Sequence, residues 1–174
     1  MLYSMEYKSP VGIVTIACSD DAVVGLWIAE QKYFGGSVQE EMTPSEYHPL
    51  LRQTAAWLDR YFTGKTPMPS ELPLSPIGGE FRQTVWKILC KIPYGEVTTY
   101  KEIAKEVASM SGLQTMSAQA IGGAVGHNPI SIIIPCHRVV GSNGSLTGYA
   151  AGIPVKQKLL TIEGVDISRF SLPK

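Results

Sequence analysis

A nucleophile and a base lie side by side in one segment of this sequence. Cys136 and His137 belong to PCHRVV (residues 135–140), which follows an apolar run at 130–134 and precedes a stretch rich in Gly, Ser and Asn at 141–148. A cysteine beside an apolar run is usually a small buried hydrophobe, but polar neighbours and a loop of this composition are typical of sites. The pattern therefore favours a Cys136 thiolate nucleophile, whose proton passes to His137 through a water molecule.

Two other chemistries compete for this motif. Adjacent side chains of an extended segment point to opposite faces, so a hydrolase dyad with direct contact between Cys136 and His137 requires an irregular turn or a bridging water. A structural zinc site needs four ligands, whereas the three Cys and three His of the chain are scattered and form no CxxC pair. The spacing predicts no metal, and it leaves the electrophile attacked by Cys136 open.

Composition bounds the kind of protein that carries the motif. Of its 174 residues, 44% are hydrophobic and 17% are charged, as expected for a globular protein with a substantial core. These values exclude a disordered chain, a collagen-like repeat and a disulfide-stapled miniprotein. No apolar run approaches the roughly 20 residues of a membrane helix, and the segment MLYSMEYKSP lacks the apolar stretch of a signal peptide. We therefore expect no membrane partner and, with an odd number of cysteines, a reducing, cytoplasmic location.

Charge and proline content divide the chain into two parts. Residues 1–80 hold five Lys or Arg against ten Asp or Glu, and residues 81–174 hold ten against five. Between them, the segment TPMPSELPLSPIGG contains four prolines, which remove backbone donors and disfavour helix. We predict an N-terminal domain at 1–65, a Pro-rich linker at 66–80 and a C-terminal domain at 81–174. A polyanionic partner would bind the basic second part.

The N-terminal part predicts a small sheet with one helix. Runs rich in β-branched residues at Gly12–Cys18 and Ala22–Ala29 are separated by Ser-Asp-Asp, which predicts a hairpin. Apolar residues recur with a period near 3.6 over Tyr47–Phe62, and Gly64 follows them as a stop signal. This helix would pack on the sheet, and no chemistry is visible in this part.

The C-terminal part predicts a series of helices that leads to the cysteine motif. A first helix spans about 81–90, and a second begins at Thr99, which has Glu102 at the spacing of a capping box. A short third helix follows at 117–125, and the apolar run at 130–134 predicts a buried strand.

The third of these helices has an unusual composition. Its sequence SAQAIGGAV places Ala118, Ile121 and Val125 on an inner side, and Gln119 and Gly123 on the outer side. Two adjacent glycines cost about 1 kcal/mol each relative to alanine in a helix, so something must approach the backbone closely. Either a neighbouring helix packs tightly there, or a helix–turn–helix in the basic half presents a nucleic-acid surface.

Motifs throughout the second half resemble those of the O6-alkylguanine-DNA alkyltransferase family in its bacterial form. They are FRQTVWKIL, IPYGEVTTYKEIA, GHNP, IPCHRVV, LTGYAAG and VKQKLLTIEG. The likeness is strong over about residues 81–169, and the first 80 residues match only in outline. It implies an α+β fold, in which a ribonuclease-H-like domain with a small sheet plus helix precedes a mainly helical, winged-helix-like domain with a helix–turn–helix.

The resemblance also implies an activity. Such a protein binds double-stranded DNA as a monomer, in the minor groove, through the second helix of its helix–turn–helix. It rotates O6-alkylguanine, and also O4-alkylthymine, out of the stack and transfers the alkyl group irreversibly to its own cysteine. This DNA-repair methyltransferase uses no cofactor, needs no protein partner and acts once.

The catalytic roles carry over residue by residue. Cys136 is the alkyl acceptor, His137 relays its proton, and Glu163 holds His137 in place. Tyr100 rotates the 3′ phosphate and protonates the departing guanine at N3, while Asn128 braces the active-site turn.

Further residues are implied to hold the base and the DNA. The carbonyl groups of Val139 and Cys136 accept from the exocyclic amine, and the loop that covers the base contains Tyr149 and the Ala150 amide. Ser131 stands where some members have a proline lining the pocket, which would leave a roomier entrance. The DNA-binding set is Gln119, Ala120, Gly122, Gly123, Tyr100 and Arg138.

Gln119 is the clearest departure from the family pattern. It stands where members usually have an arginine finger that fills the space of the flipped base, and no arginine lies anywhere in 83–137. Glutamine lacks the charge and the reach, so base extrusion would be less efficient. The main rival function is therefore a non-enzymatic alkyltransferase-like protein that only binds the lesion, although such proteins typically lack the cysteine found here as Cys136. A Cys–His hydrolase explains neither the glycine-rich helix nor the charge division.

Overall fold

Two structural units make up residues 1–173, the part of the chain that the computed structural model describes. The first unit comprises Met1–Gly78 together with the short segment Pro129–Ile133. The second comprises Gly79–Asn128 and the chain from Ile134 onward. The chain therefore leaves the second unit at Pro129 and returns to it two residues before Cys136.

The first unit is built on a four-stranded sheet in the order β3-β2-β1-β4. The strands are β1 (Leu2–Ser9), β2 (Gly12–Cys18), β3 (Val23–Ile28) and β4 (Met42–Pro44). Neighbours are antiparallel except for the β1–β4 pair, which is parallel. The predicted hairpin is confirmed as β2–β3, whereas β1 and β4 are absent from the sequence-based prediction.

Helix α1 (Pro49–Phe62) packs on this sheet, as its apolar period predicts. Its buried side chains are Leu50, Leu51, Thr54, Trp57, Leu58 and Tyr61. His48 caps the helix, since its Nδ1 accepts a hydrogen bond from the Leu50 amide at 3.2 Å. The same ring nitrogen lies 3.6 Å from the Cys18 thiol.

The Pro-rich segment runs along the edge of the first unit. The Val23 amide donates to the carbonyl of Pro73, and the Ser75 amide donates to the carbonyl of Val23, both at 2.8 Å. The Trp57 indole donates to the carbonyl of Met68 at 2.8 Å. The change from the first unit to the second falls after Gly78.

Helices dominate the second unit, as expected. Its elements are, in chain order, α2 (Glu80–Leu89), β5 (Thr98–Thr99), α3 (Tyr100–Met110), α4 (Ala118–Gly126), β6 (Val139–Val140) and α5 (Ile153–Ile162). Strands β5 and β6 form a two-stranded parallel sheet. The hydroxyl of Thr99 accepts from the Glu102 amide at 3.1 Å and so caps α3. The indole of Trp86 in α2 donates to the carbonyl of Ala124 in α4 at 2.9 Å, which ties the exposed helix to the core.

Two details of this unit differ from the sequence-based prediction. In α4 the buried residues are Ile121, Ala124 and Val125, whereas Ala118 is exposed at the first position of the helix. The apolar run at 130–134 is buried but is not a strand. Ile130 forms a single bridge with Leu26, and the next three residues form a turn.

Candidate functional site

The cysteine follows a chain reversal that Asn128 closes. The Asn128 side-chain amide donates to the carbonyl of Ile134 at 2.7 Å, so the two ends of the segment 129–133 are held together. Within that segment Ile132 has a φ of +71°, which is a strained conformation for a β-branched residue. The Cys136 amide donates to the same Ile134 carbonyl at 2.8 Å. Residues 136–138 then form one turn of 3₁₀-helix, so the irregular turn that a Cys–His pair requires is present.

A single carboxylate holds this turn from the other side. Glu163, at the C-terminal end of α5, lies with its Oε2 2.5 Å from His137 Nε2. Arg138 donates to the same carboxylate through Nε at 2.8 Å and through Nη2 at 3.2 Å. The Gly95 amide adds a fourth contact at 3.0 Å. All three side chains are buried, and the structure thus brings His137 together with the partner that the resemblance implies.

Burial and charge set the protonation states of this cluster. Burial by itself would raise the pKa of Glu163, but hydrogen bonds and positive charge from His137 and Arg138 outweigh it and lower the pKa to about 2. Burial lowers the pKa of His137 despite the opposing effect of Glu163. Burial also raises the pKa of the Cys136 thiol. At neutral pH the site therefore combines an ionised carboxylate with a neutral imidazole and a neutral thiol.

Three groups around Cys136 favour its thiolate against the effect of burial. The hydrogen-bonding side chains of Asn128 and Tyr149 lower the pKa of the Cys136 thiol, and the positive charge of Lys156 acts in the same direction. The ring of Tyr149 also lies edge-on to that of His137, with the centroids 6.5 Å apart. Each of the three groups lowers the pKa of the thiol, but burial outweighs them.

Lys156 is the functional residue that the sequence analysis missed. It is fully buried in α5, and its ammonium donates to the carbonyl of Val139 at 2.6 Å and to that of Gly148 at 3.5 Å. Burial lowers its pKa to about 8, and the nearby Cys136 opposes this effect. A signal was available in the sequence, because Lys156 shares the inner face of its helix with Leu159 and Leu160, three and four residues on.

Tyr100 enters the site from the start of α3. Strand β5 directly precedes it and pairs with β6, so that Thr98 lies opposite Val139. The Tyr100 hydroxyl lies 3.1 Å from the Thr147 hydroxyl. Burial, aided by the nearby Cys136, raises the pKa of Tyr100, so the phenol keeps its proton at neutral pH. Ala150 lies in the turn between the loop at 141–148 and α5, and it is partly exposed.

The outer face of α4 is slim and uncharged. Gln119, Ala120 and Gly123 are exposed, and Gly122 is partly exposed. A methyl group added at either glycine would meet nothing within 4 Å. Tight helix packing therefore does not explain the Gly-Gly pair, and the surface alternative remains. Gln119 and Gly122 line a groove of about 470 Å³ together with Tyr100, Lys101 and residues 141–143.

Arg138 and Ser131 do not take the positions expected of them. Arg138 is 4% exposed, and its guanidinium is committed to Glu163 and to the carbonyl of Ile92 at 2.6 Å. It therefore holds the active-site turn, and its assignment to the DNA-binding set is wrong. Ser131 belongs to the first unit, where its hydroxyl donates to Gln31 Oε1 at 3.1 Å.

Residues 1–173 contain neither a membrane-spanning helix nor a cluster of metal ligands. No helix there has the length and apolar character needed to cross a bilayer. No three His, Cys, Asp or Glu side chains lie close enough together to hold a metal ion.

The fold and the site define a helix–turn–helix protein with a buried cysteine that directly precedes a His–Glu pair. Residues 1–76 match the ribonuclease-like domain of 6-O-methylguanine DNA methyltransferase, and residues 80–165 match its DNA binding domain. The chain therefore belongs to the 6-O-methylguanine DNA methyltransferase family. This result confirms the resemblance and the fold class that the sequence predicts.

Curated relatives and solved structures agree with this family. The methylated-DNA–protein-cysteine methyltransferase of Methanosarcina barkeri is 40% identical over 164 residues, which cover 93% of this chain and 97% of that protein. The protein of the same name from Haemophilus influenzae is 35% identical, over 94% of this chain and 87% of its own length. The structure of Mycobacterium tuberculosis O6-methylguanine methyltransferase superimposes with a TM-score of 0.80 at 38% identity, covering 98% and 96% of the two chains. The M. tuberculosis OGT in complex with DNA gives 0.79 at 36% identity, covering 97% and 94%.

Removal of the Glu163 carboxylate should strongly destabilise the folded protein. Glu163→Gln would leave the Arg138 charge buried without its partner, and we expect a loss of roughly 3 kcal/mol in the free energy of unfolding at pH 7. Because the pKa of Glu163 is lowered from 4.5 to about 2 on folding, its stabilisation is present above pH 4.5 and is lost as the pH falls towards 2. Urea unfolding at pH 7 and at pH 3 measures both effects.

A matched control comes from a second Glu–Arg pair. Glu71 bonds to Arg60 at 2.7 Å, but both side chains are substantially exposed. Glu71→Gln should therefore cost much less than Glu163→Gln. Equal losses for the two variants would contradict the importance assigned to the buried carboxylate.

Proposed function

We propose that this protein repairs DNA by moving an alkyl group from O6 of an alkylated guanine to the sulfur of Cys136. The observation that carries the proposal is the buried Cys136 with its His137–Glu163 pair, in a chain that shares nearly its full length with methylated-DNA–protein-cysteine methyltransferases. Double-stranded DNA containing O6-alkylguanine is the substrate, and O4-alkylthymine is a further one. The protein acts as a monomer, without a cofactor, in the reducing cytoplasm.

Proton transfer begins the reaction. Neutral His137 accepts the thiol proton of Cys136 through a water molecule, and the ionised Glu163 stabilises the imidazolium that forms. The positive charge of Lys156 and the hydrogen bonds from Asn128 and Tyr149 stabilise the thiolate. A thiolate is required because an O6-alkyl carbon is a weak electrophile.

Alkyl transfer is a displacement at carbon. A bond forms between Cys136 Sγ and the alkyl carbon as the bond from that carbon to O6 breaks, and the electron pair of the broken bond stays on the guanine. Tyr100, which keeps its proton at neutral pH because burial raises its pKa, supplies a proton to N3 of the leaving base. The thioether has no route back to a thiol, so each molecule acts once.

The flipped base is held by backbone groups around the cysteine. The carbonyls of Cys136 and Val139 accept from its exocyclic amine, and the Ala150 amide donates to O6. A carbonyl oxygen has two lone pairs, so Val139 accepts from the base while Lys156 occupies the other position at 2.6 Å. Tyr149 covers the base.

The slim face of α4 enters the minor groove. Gln119, Ala120, Gly122 and Gly123 form this face, and phosphate contacts come from basic residues elsewhere in the second unit, because residues 110–127 contain no Lys or Arg. Binding should therefore weaken with salt.

A non-enzymatic lesion-binding role is the second candidate. The observation that favours it is Gln119 in place of the usual arginine finger. The presence of Cys136 favours transfer, and the two candidates differ in whether the protein gains mass on damaged DNA.

We expect Cys136 to become methylated when the protein meets a duplex that contains O6-methylguanine. Mass spectrometry should find one methyl group in place of one hydrogen on the peptide that holds Cys136, in a one-to-one ratio with repaired base. Cys136→Ser should abolish the transfer but leave DNA binding measurable, because the phosphate contacts lie elsewhere. Cys90→Ser is the control and should transfer normally. An unmodified wild-type protein that still binds the duplex would support the lesion-binding candidate instead.

The glycine pair of α4 predicts opposite effects on stability and on DNA binding. Gly122→Ala meets no steric obstacle in the free protein and should raise the free energy of unfolding by about 1 kcal/mol. The added methyl group should weaken affinity for duplex DNA, because it keeps the helix from the floor of the groove. Gly79→Ala, which also meets no atom within 4 Å and lies outside α4, should leave affinity unchanged. Tighter or unchanged binding by Gly122→Ala would remove this face from the DNA interface.

Replacement of Gln119 by arginine should increase the rate of repair. Gln119→Arg should speed repair in duplex DNA by roughly tenfold, the effect of about one well-placed hydrogen bond. It should hardly change repair of the free base, which needs no flipping. The salt dependence of DNA binding should steepen by up to about one charge. Single-turnover rates on both substrates test this, and an unchanged ratio of the two rates would place Gln119 outside the flipping step.

A further inference from the structure

The loop beside the cysteine contains a strained threonine that contacts the proposed acid. Thr147 has a φ of +57°, in the left-handed region that β-branched residues rarely occupy. Such a conformation costs free energy and persists only when the surrounding structure holds it. Backbone strain of this kind is commonly found at functional sites.

Two hydrogen bonds hold Thr147 in this conformation. Its amide donates to the Ser145 hydroxyl at 3.2 Å, and its own hydroxyl donates to the carbonyl of Leu146 at 2.6 Å. Leu146 is buried in a cluster with Val140 and Leu160. The hydroxyl end of the side chain is therefore fixed.

The direction of the hydrogen bond between Thr147 and Tyr100 follows from this arrangement. A hydroxyl carries one proton, and Thr147 gives its proton to the Leu146 carbonyl. The Tyr100 hydroxyl, 3.1 Å away, is therefore the donor in the free protein. Tyr100 is held at its backbone by the β5–β6 pair, so Thr147 determines where the far end of the ring points.

We infer that Thr147 is a positioning residue for the alkyl transfer: its hydroxyl holds the Tyr100 hydroxyl at the pocket and stabilises it as it gives up its proton. When Tyr100 donates to N3 of the leaving guanine, the Thr147 proton turns from the Leu146 carbonyl to the phenolate oxygen. One proton moves from Tyr100 to the base, and water later restores the phenol. This inference rests on the proposed function and adds a residue to it.

Three substitutions separate the hydroxyl from the backbone strain. Thr147→Val keeps the shape and the β-branch but has no hydroxyl, Thr147→Ser keeps the hydroxyl, and Thr147→Gly relieves the strain without a hydroxyl. In single-turnover reactions with duplex containing O6-methylguanine, we expect the Val and Gly variants to transfer about tenfold more slowly, the effect of one lost hydrogen bond. The Ser variant should react at nearly the parent rate. DNA affinity should be unchanged in all three.

The decisive comparison uses Tyr100→Phe. If Thr147 acts through the Tyr100 hydroxyl, Thr147→Val should slow the Tyr100→Phe variant no further. A tenfold loss in both backgrounds would mean a merely structural role and would overturn the inference. So would a Val variant that reacts at the parent rate, or a Ser variant as slow as Val. Failure of the parent protein itself to methylate Cys136 is a separate result, which would overturn the proposed function.

Discussion

The buried carboxylate of Glu163 is the contact on which the rest of the site depends. It binds His137, Arg138 and the Gly95 amide at once, and so joins two stretches of the chain that lie about 40 residues apart in sequence. The Arg138 guanidinium, the His137 ring and a backbone donor replace the water that the carboxylate loses on burial, which is what makes an ionised group tolerable there. The turn that presents Cys136 is consequently fixed on its far side by one ion, while Asn128 fixes the near side.

Burial keeps Cys136 and His137 neutral, while the charged side chains of Lys156 and Glu163 lie beside them. Burial raises the pKa of Cys136 and lowers that of His137, so both groups are neutral at neutral pH. Glu163 then favours a charged imidazole, and Lys156 favours a charged sulfur. The cost of forming two charges in an apolar site is thereby met by groups already oriented in the folded protein.

Much of this arrangement follows from the sequence, and the exceptions have physical reasons. Helical periods located α1 to α4 because each buries one continuous stripe. The sequence predicts a strand at 130–134, but most of this segment forms a turn. A short buried apolar segment has the same pattern in either conformation. The family resemblance implies that Arg138 binds DNA, and only tertiary contacts reveal its commitment to Glu163. Those contacts join residues about 25 positions apart, beyond the reach of local pattern.

The excursion of five residues through the first unit has a consequence for how such proteins diversify. Pro129–Ile133 pairs with β3 through Leu26, in hydrogen bonds of 2.9 Å in both directions, and the cysteine follows three residues later. The parts of the chain before and after Gly78 therefore cannot be exchanged independently between relatives. A recombinant gene joined at the Gly78–Gly79 boundary would give β3 an edge partner inherited from the other parent, immediately upstream of the nucleophile. The residues that precede Cys136 therefore have to fit the sheet of the first unit, although that sheet carries none of the residues proposed to react.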